Sequence, residues 1–113
     1  MKTFTKTKRL LCKADFDYVF KHANKIHCPP FIILYCKGQT NFARLGLVIG
    51  KKNVNKAWQR NRIRRIIRES FRQQQLPSYD IVLIAKRGAD NYANQAIFKY
   101  LGTIWSRLNA VHD

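Results

Sequence analysis

Residues 59–72, QRNRIRRIIRESFR, can bury one side of a helix and only one. Wound at ~100° per residue, Ile63, Ile66, Ile67, Ser70 and Phe71 share an arc. Asn61, Arg64, Arg65, Arg68 and Arg72 share the opposite arc, with Arg62 at its far edge. Such a helix folds only against an apolar layer, and the chain supplies one. FIILYC (31–36) and YDIVLIA (79–85) are apolar, β-branched runs of strand length. FARLGLVIG (42–50) reads as a further strand, antiparallel to 31–36 because the KGQTN between them is hairpin-short. A brief strand is expected at Lys25–Cys28, before Pro29-Pro30.

Helices complete the pattern. KADFDYVFKHANK places Phe16, Val19 and Phe20 on one face of a short first helix. The arginine-rich helix is expected from about Asn55 to Gln74, capped by Asn53 or Asn55 and ended by LPSYD. In a last helix, capped by Asp90 or Asn91, the residues Ala93, Ile97, Tyr100, Leu101, Ile104 and Leu108 recur on one side. The order is α-β-β-β-α-β-α, an α+β sandwich on a small sheet. If 42–50 and 79–85 are parallel neighbours, their crossover is right-handed by default. Residues 1–12 read as a basic flexible tail, 13–109 as one domain and 110–113 as a C-terminal tail.

Charge then narrows the function. The 113 residues carry 22 Lys+Arg against 6 Asp+Glu, a net +16 that repels itself in a compact fold and calls for a polyanionic partner. Half of that excess, +8, lies between Lys51 and Arg72, where nine basic residues face Glu69 alone. A helix face that is merely solvated mixes signs. Here Arg60–Arg64, Arg64–Arg68 and Arg68–Arg72 are like-charged i,i+4 pairs, each costing a few tenths of a kcal/mol. Arginine also grips phosphate through two donors and stacks on bases. A membrane surface fits less well, because the apolar stripe of this helix is needed by the core. Lys51, Lys52 and Lys56, where strand hands over to helix, join lysines to free backbone N–H groups and suit a phosphate.

Catalytic chemistry is not visible in the chain itself. The acids Asp15, Asp17, Glu69, Asp80, Asp90 and Asp113 are scattered, and His22, His27 and His112 form no recognisable acid–base pair. Cys12, Cys28 and Cys36 make no C-x-x-C pair and read as reduced packing residues. No signal peptide or membrane-spanning run is present, so a cytoplasmic protein is expected.

Arg60-Asn61-Arg62 within KKNVNKAWQRNRIRRIIRESFR resembles the arginine-asparagine-arginine signature of the bacterial ribonuclease P protein component. DFDYVF (15–20), FIILY (31–35), RLGLVIGKK (44–52) and YDIVLIAKRGA (79–89) extend the resemblance in the family's order. Two departures are Trp58, where a smaller aliphatic residue is usual, and Gly50, where a serine is. The resemblance implies a left-handed strand–helix–strand crossover, against the default. It implies binding of the ribonuclease P catalytic RNA by Lys51, Lys52, Arg60, Asn61, Arg62, Arg64, Arg65 and Arg68, and the charge of the same segment adds Lys56 and Arg72 to the expected RNA contacts. It further implies a cleft between the first helix and the sheet for the 5′ leader of precursor tRNA, with Phe16, Phe20 and Tyr35 at leader positions; Arg44 is expected as a fourth leader contact. By spacing alone, Phe16 and Phe20 would be core residues of the first helix. Cleavage would be the work of the RNA with Mg²⁺, leaving the protein alone inactive, with no bound cofactor and no obligate protein partner. The competing expectation is another basic RNA-binding protein of ribosomal type, without a role in cleavage.

Overall fold

The structure is a computed structural model that describes residues 13–38 and 40–112; the segment expected as a basic tail lies outside the described residues. Its elements are α1 (Lys13–His22), β1 (Asn24–Cys28), β2 (Phe31–Lys37), β3 (Arg44–Val48), α2 (Ala57–Arg72), β4 (Tyr79–Ala85) and α3 (Asn94–His112). This is the α-β-β-β-α-β-α order expected from the sequence. The last helix runs on to His112, over most of the segment read as a C-terminal tail.

The sheet order is β1-β2-β4-β3. β1 and β2 form an antiparallel hairpin through the cis Pro29-Pro30 peptide, β2 pairs antiparallel with β4, and β3 pairs parallel with β4. The hairpin expected between 31–36 and 42–50 is therefore corrected: β4 lies between those strands, and β3 hydrogen-bonds to β4 instead. Burial explains the order. β2 and β4 are apolar along nearly their whole length and take the centre, covered on both faces. β1, which alternates exposed and buried, takes an edge. The connection from β2 to β3 runs close to the start of β4, where the Gly38 N–H donates to the Ser78 carbonyl at 2.7 Å.

Helices cover both sides of the sheet. Phe31, Ile33, Tyr35, Leu45, Ile81, Leu83 and Ala85 pack with the buried stripes of α2 (Ile63, Ile66, Ile67, Phe71) and α3 (Ile97, Leu101, Ile104, Trp105, Leu108). On the other face Leu34, Cys36 and Val82 pack with Val19 of α1. Cys28 and Cys36 are free and buried.

Both helix caps differ from expectation. Lys56 is the N-cap of α2 and makes no side-chain cap bond. Asn53 is occupied elsewhere, its Nδ2 donating to the Ala85 carbonyl at 2.9 Å and tying the β3–α2 loop to the end of β4. Gly88, at φ 89°, opens a 3-10 turn over Ala89–Asn91, so Asp90 and Asn91 are used before α3 begins at Asn94.

Candidate nucleic-acid interface

The α2 helix sorts its residues as the winding requires. Ile63, Ile66, Ile67, Ser70 and Phe71 are buried, and Trp105 Nε1 donates to Ser70 Oγ at 2.8 Å, satisfying the one hydroxyl in that stripe. Asn61, Arg65 and Arg72 are exposed, while Arg64 and Arg68 are half-buried. Lys51, Lys52 and Lys56 stand exposed in the loop that leads into the helix. Among the described residues, these three lysines, Arg65 and Arg72 have no hydrogen bond or ion pair to the protein. Their charge is available to a ligand.

The two arginines of the signature triplet are spent differently. Arg60 Nη1 donates to the carbonyls of Val54 and Asn55 at 3.0 and 2.8 Å, closing the turn ahead of the helix. The Arg62 guanidinium reaches Gln59 Oε1 at 2.7 Å, Asn94 Oδ1, and the carbonyls of Tyr92 and Asp90, both at 3.2 Å. It locks α2 to the turn and to the start of α3. Between them Asn61 points outward, its Oδ1 accepting from Arg64 at 2.8 Å and steadying that guanidinium. Spacing alone does not mark Arg60 and Arg62 to turn inward, because most of their partners are backbone carbonyls brought together by the fold.

The α1 side of the sheet offers a second surface. Register and alternation line up His27, Ile32, Ile84 and Val48 in one row across all four strands. Ile32, Ile84 and Val48 are half-buried and His27 is exposed, so this row is incompletely covered by α1. Beside it Phe16 is half-buried and Phe20 is 49% exposed, their rings stacked with centroids 6.4 Å apart. Beyond the buried row of Leu34 and Val82, the row of Cys36, Asp80 and Arg44 is closed by charge. Arg44 forks onto Asp80 at 2.9 and 2.8 Å and reaches Asp15 of α1 at 3.4 Å. The hydrogen bond to Asp80 holds the Arg44 guanidinium above its ordinary pKa, in spite of partial burial. Burial, reinforced by Asp80, pushes the Cys36 thiol up as well.

A family model for ribonuclease P matches residues 4–109. The chain belongs to the ribonuclease P protein family. The ribonuclease P protein component of Legionella pneumophila strain Lens is 43% identical over 99% of this chain and 98% of its own length. That of Pseudoalteromonas atlantica is 43% identical over 94% of this chain and 90% of its own. Among solved structures, the RNase P protein of Staphylococcus aureus superposes with a TM-score of 0.84 at 27% identity, covering 92% of this chain and 99% of that one. The RNase P protein of Thermotoga maritima gives 0.77 at 27% identity, over 88% and 96%.

Within this ribonuclease P fold the four expected leader contacts do not converge. Phe16 and Phe20 flank the open row on the α1 side. Tyr35 is 8% exposed on the opposite face, edge-on to Tyr79 with centroids 5.4 Å apart. It alternates with Leu34 and Cys36, which face α1, and in so uniformly apolar a run the sequence does not show which phase is which. Arg44 lies on the α1 side but is clamped by two carboxylates. Ile32, Val48 and Ile84 share the surface with Phe16 and Phe20, and sequence reading passed over them; their β-alternation, once the strand order is known, is the signal that finds them.

Proposed function

We propose that this chain is the protein subunit of a bacterial ribonuclease P, acting in the cytoplasm on precursor tRNA. It holds the catalytic RNA along the outer face of α2 and the lysine loop before it. It holds the 5′ leader over the open row of the sheet beside α1. The observation that carries the reading is the segregation of cations on α2, set in a chain of this family. Lys51, Lys52, Lys56, Arg65 and Arg72 present charge with no protein partner among the described residues, and Arg64 is steadied by Asn61.

Two contributions follow from that geometry. Neutralised phosphates lower the repulsion that RNA otherwise screens with Mg²⁺, so the protein matters most at low magnesium and loses affinity steeply as salt rises. Leader bases stacked near Phe16 and Phe20 add affinity for precursor over mature tRNA, which has no leader, and so favour product release. Mg²⁺ belongs with the RNA. Among the described residues no three His, Cys, Asp or Glu side chains stand close enough to share a metal ion, and Asp15 and Asp80 are both engaged by Arg44.

The test is cleavage of precursor tRNA by a bacterial ribonuclease P RNA at low Mg²⁺, with and without the protein, using a long leader and a one-nucleotide leader. Stimulation together with tighter binding of the long-leader substrate is expected. Binding of RNA with no effect on cleavage would overturn the reading and leave a ribosomal-type RNA-binding protein.

A further inference from the structure

Trp58 is 60% exposed on the first turn of α2, and Phe98 is 39% exposed on α3. Neither belongs to the core. Both line a groove of about 430 Å³ between the two helices, together with Asn61, Arg62, Arg65 and Glu69. That volume is in the range of sites that hold small organic groups, about 300–1,000 Å³. One lining residue is held in place, because Arg62 is pinned to Gln59, Asn94 and the carbonyls of Asp90 and Tyr92. Arg65, also in the lining, has no protein partner among the described residues.

We propose that this groove takes one unpaired nucleobase of the RNA that α2 binds, stacked on Trp58 with its phosphate held by Arg65. The proposal rests on the reading of α2 as the RNA-binding helix and adds a base contact to what is otherwise a phosphate surface. Two large aromatic faces kept in water beside an arginine suit a π-faced, anionic ligand. A second copy of this chain is disfavoured as occupant, since it would bring +16 against +16. The groove is a different place from the α1 side of the sheet, because α2 and α3 cover the other face.

Trp58 makes the test direct, since the other tryptophan, Trp105, is buried and hydrogen-bonded to Ser70. Emission of the full chain is followed while adding an oligo(A) strand, or the same strand paired with oligo(U). Quenching by the single strand well beyond that by the duplex is expected. Affinity for a bacterial ribonuclease P RNA is then compared among wild type, Trp58→Leu, Trp58→Phe and Arg65→Ala. Stacking on one base predicts a loss of about fivefold to a hundredfold for Trp58→Leu and retention within about twofold for Trp58→Phe. Trp58→Leu binding as tightly as wild type, or equal quenching by strand and duplex, would overturn the stacked base. If Arg65→Ala alone weakens binding, α2 still holds RNA and only the base contact falls. If wild type binds no ribonuclease P RNA, or Trp58 responds to anionic vesicles and not to RNA, both readings fall. Because Trp58 is largely exposed, all variants should keep the wild-type circular dichroism, and a variant that loses it is replaced by Phe98→Leu as the second probe of the groove.

Discussion

At the scale of single residues, two positions are governed by the incoming end of β4. A Cβ on Gly38 would stand 2.6 Å from the Ser78 carbonyl oxygen, a backbone atom that cannot swing aside. Gly38→Ala should therefore destabilise the fold by about 1–3 kcal/mol, read as a lowered denaturation midpoint. Cys36 lies beside the Arg44–Asp80 pair, and its thiol is raised chiefly by burial and next by Asp80. The sign is that of an acid whose folded pKa lies above its unfolded one. Its contribution is fully present below the ordinary thiol pKa and is lost as pH rises through the folded value. Stability should thus decline with alkaline pH more steeply in wild type than in Cys36→Ala, measured by urea unfolding at neutral and alkaline pH. Alkylation of the native protein should leave Cys36 unmodified at neutral pH.

Among the elements, α2 shows how far patterning reaches. Its core stripe and its outward Asn61, Arg65 and Arg72 follow from 3.6-residue periodicity alone, because a local period needs no knowledge of distant partners. The sheet is another matter. The order β1-β2-β4-β3 depends on a strand that arrives some thirty residues after β3, and a short connection argued wrongly for a hairpin. Tyr35 misled for a related reason, since an unbroken apolar run hides its phase. The arginines of one helix also divide in a way that no spacing reveals. Arg62 is bonded to the turn and to the start of α3, whereas Arg65 is exposed and has no protein partner among the described residues. Arg62→Ala should lower thermal stability by about 1–3 kcal/mol, since a guanidinium bonded to several acceptors is lost from a half-buried site. Arg65→Ala should leave the melting temperature within about 1 °C, in keeping with an exposed position, and weaken RNA binding instead. Thermal melts beside filter-binding titrations separate the two.

For the whole molecule, the late arrival of β4 matters most before the protein is finished. A chain leaves the ribosome N-terminus first, at about 5–20 residues per second. When α2 emerges, β3 has no neighbour to pair with, and of the two central strands only β2 has been made. A chain cut after Pro77 should accordingly lack the folded sheet, with a circular dichroism spectrum and proteolysis pattern of an unfolded polypeptide, while one extended through α3 folds. For on the order of a second during each round of synthesis, then, an amphipathic, polycationic helix sits unhoused beside ribosomal RNA. Its basic side is free to cling to the machine that made it until β4 draws its greasy side home.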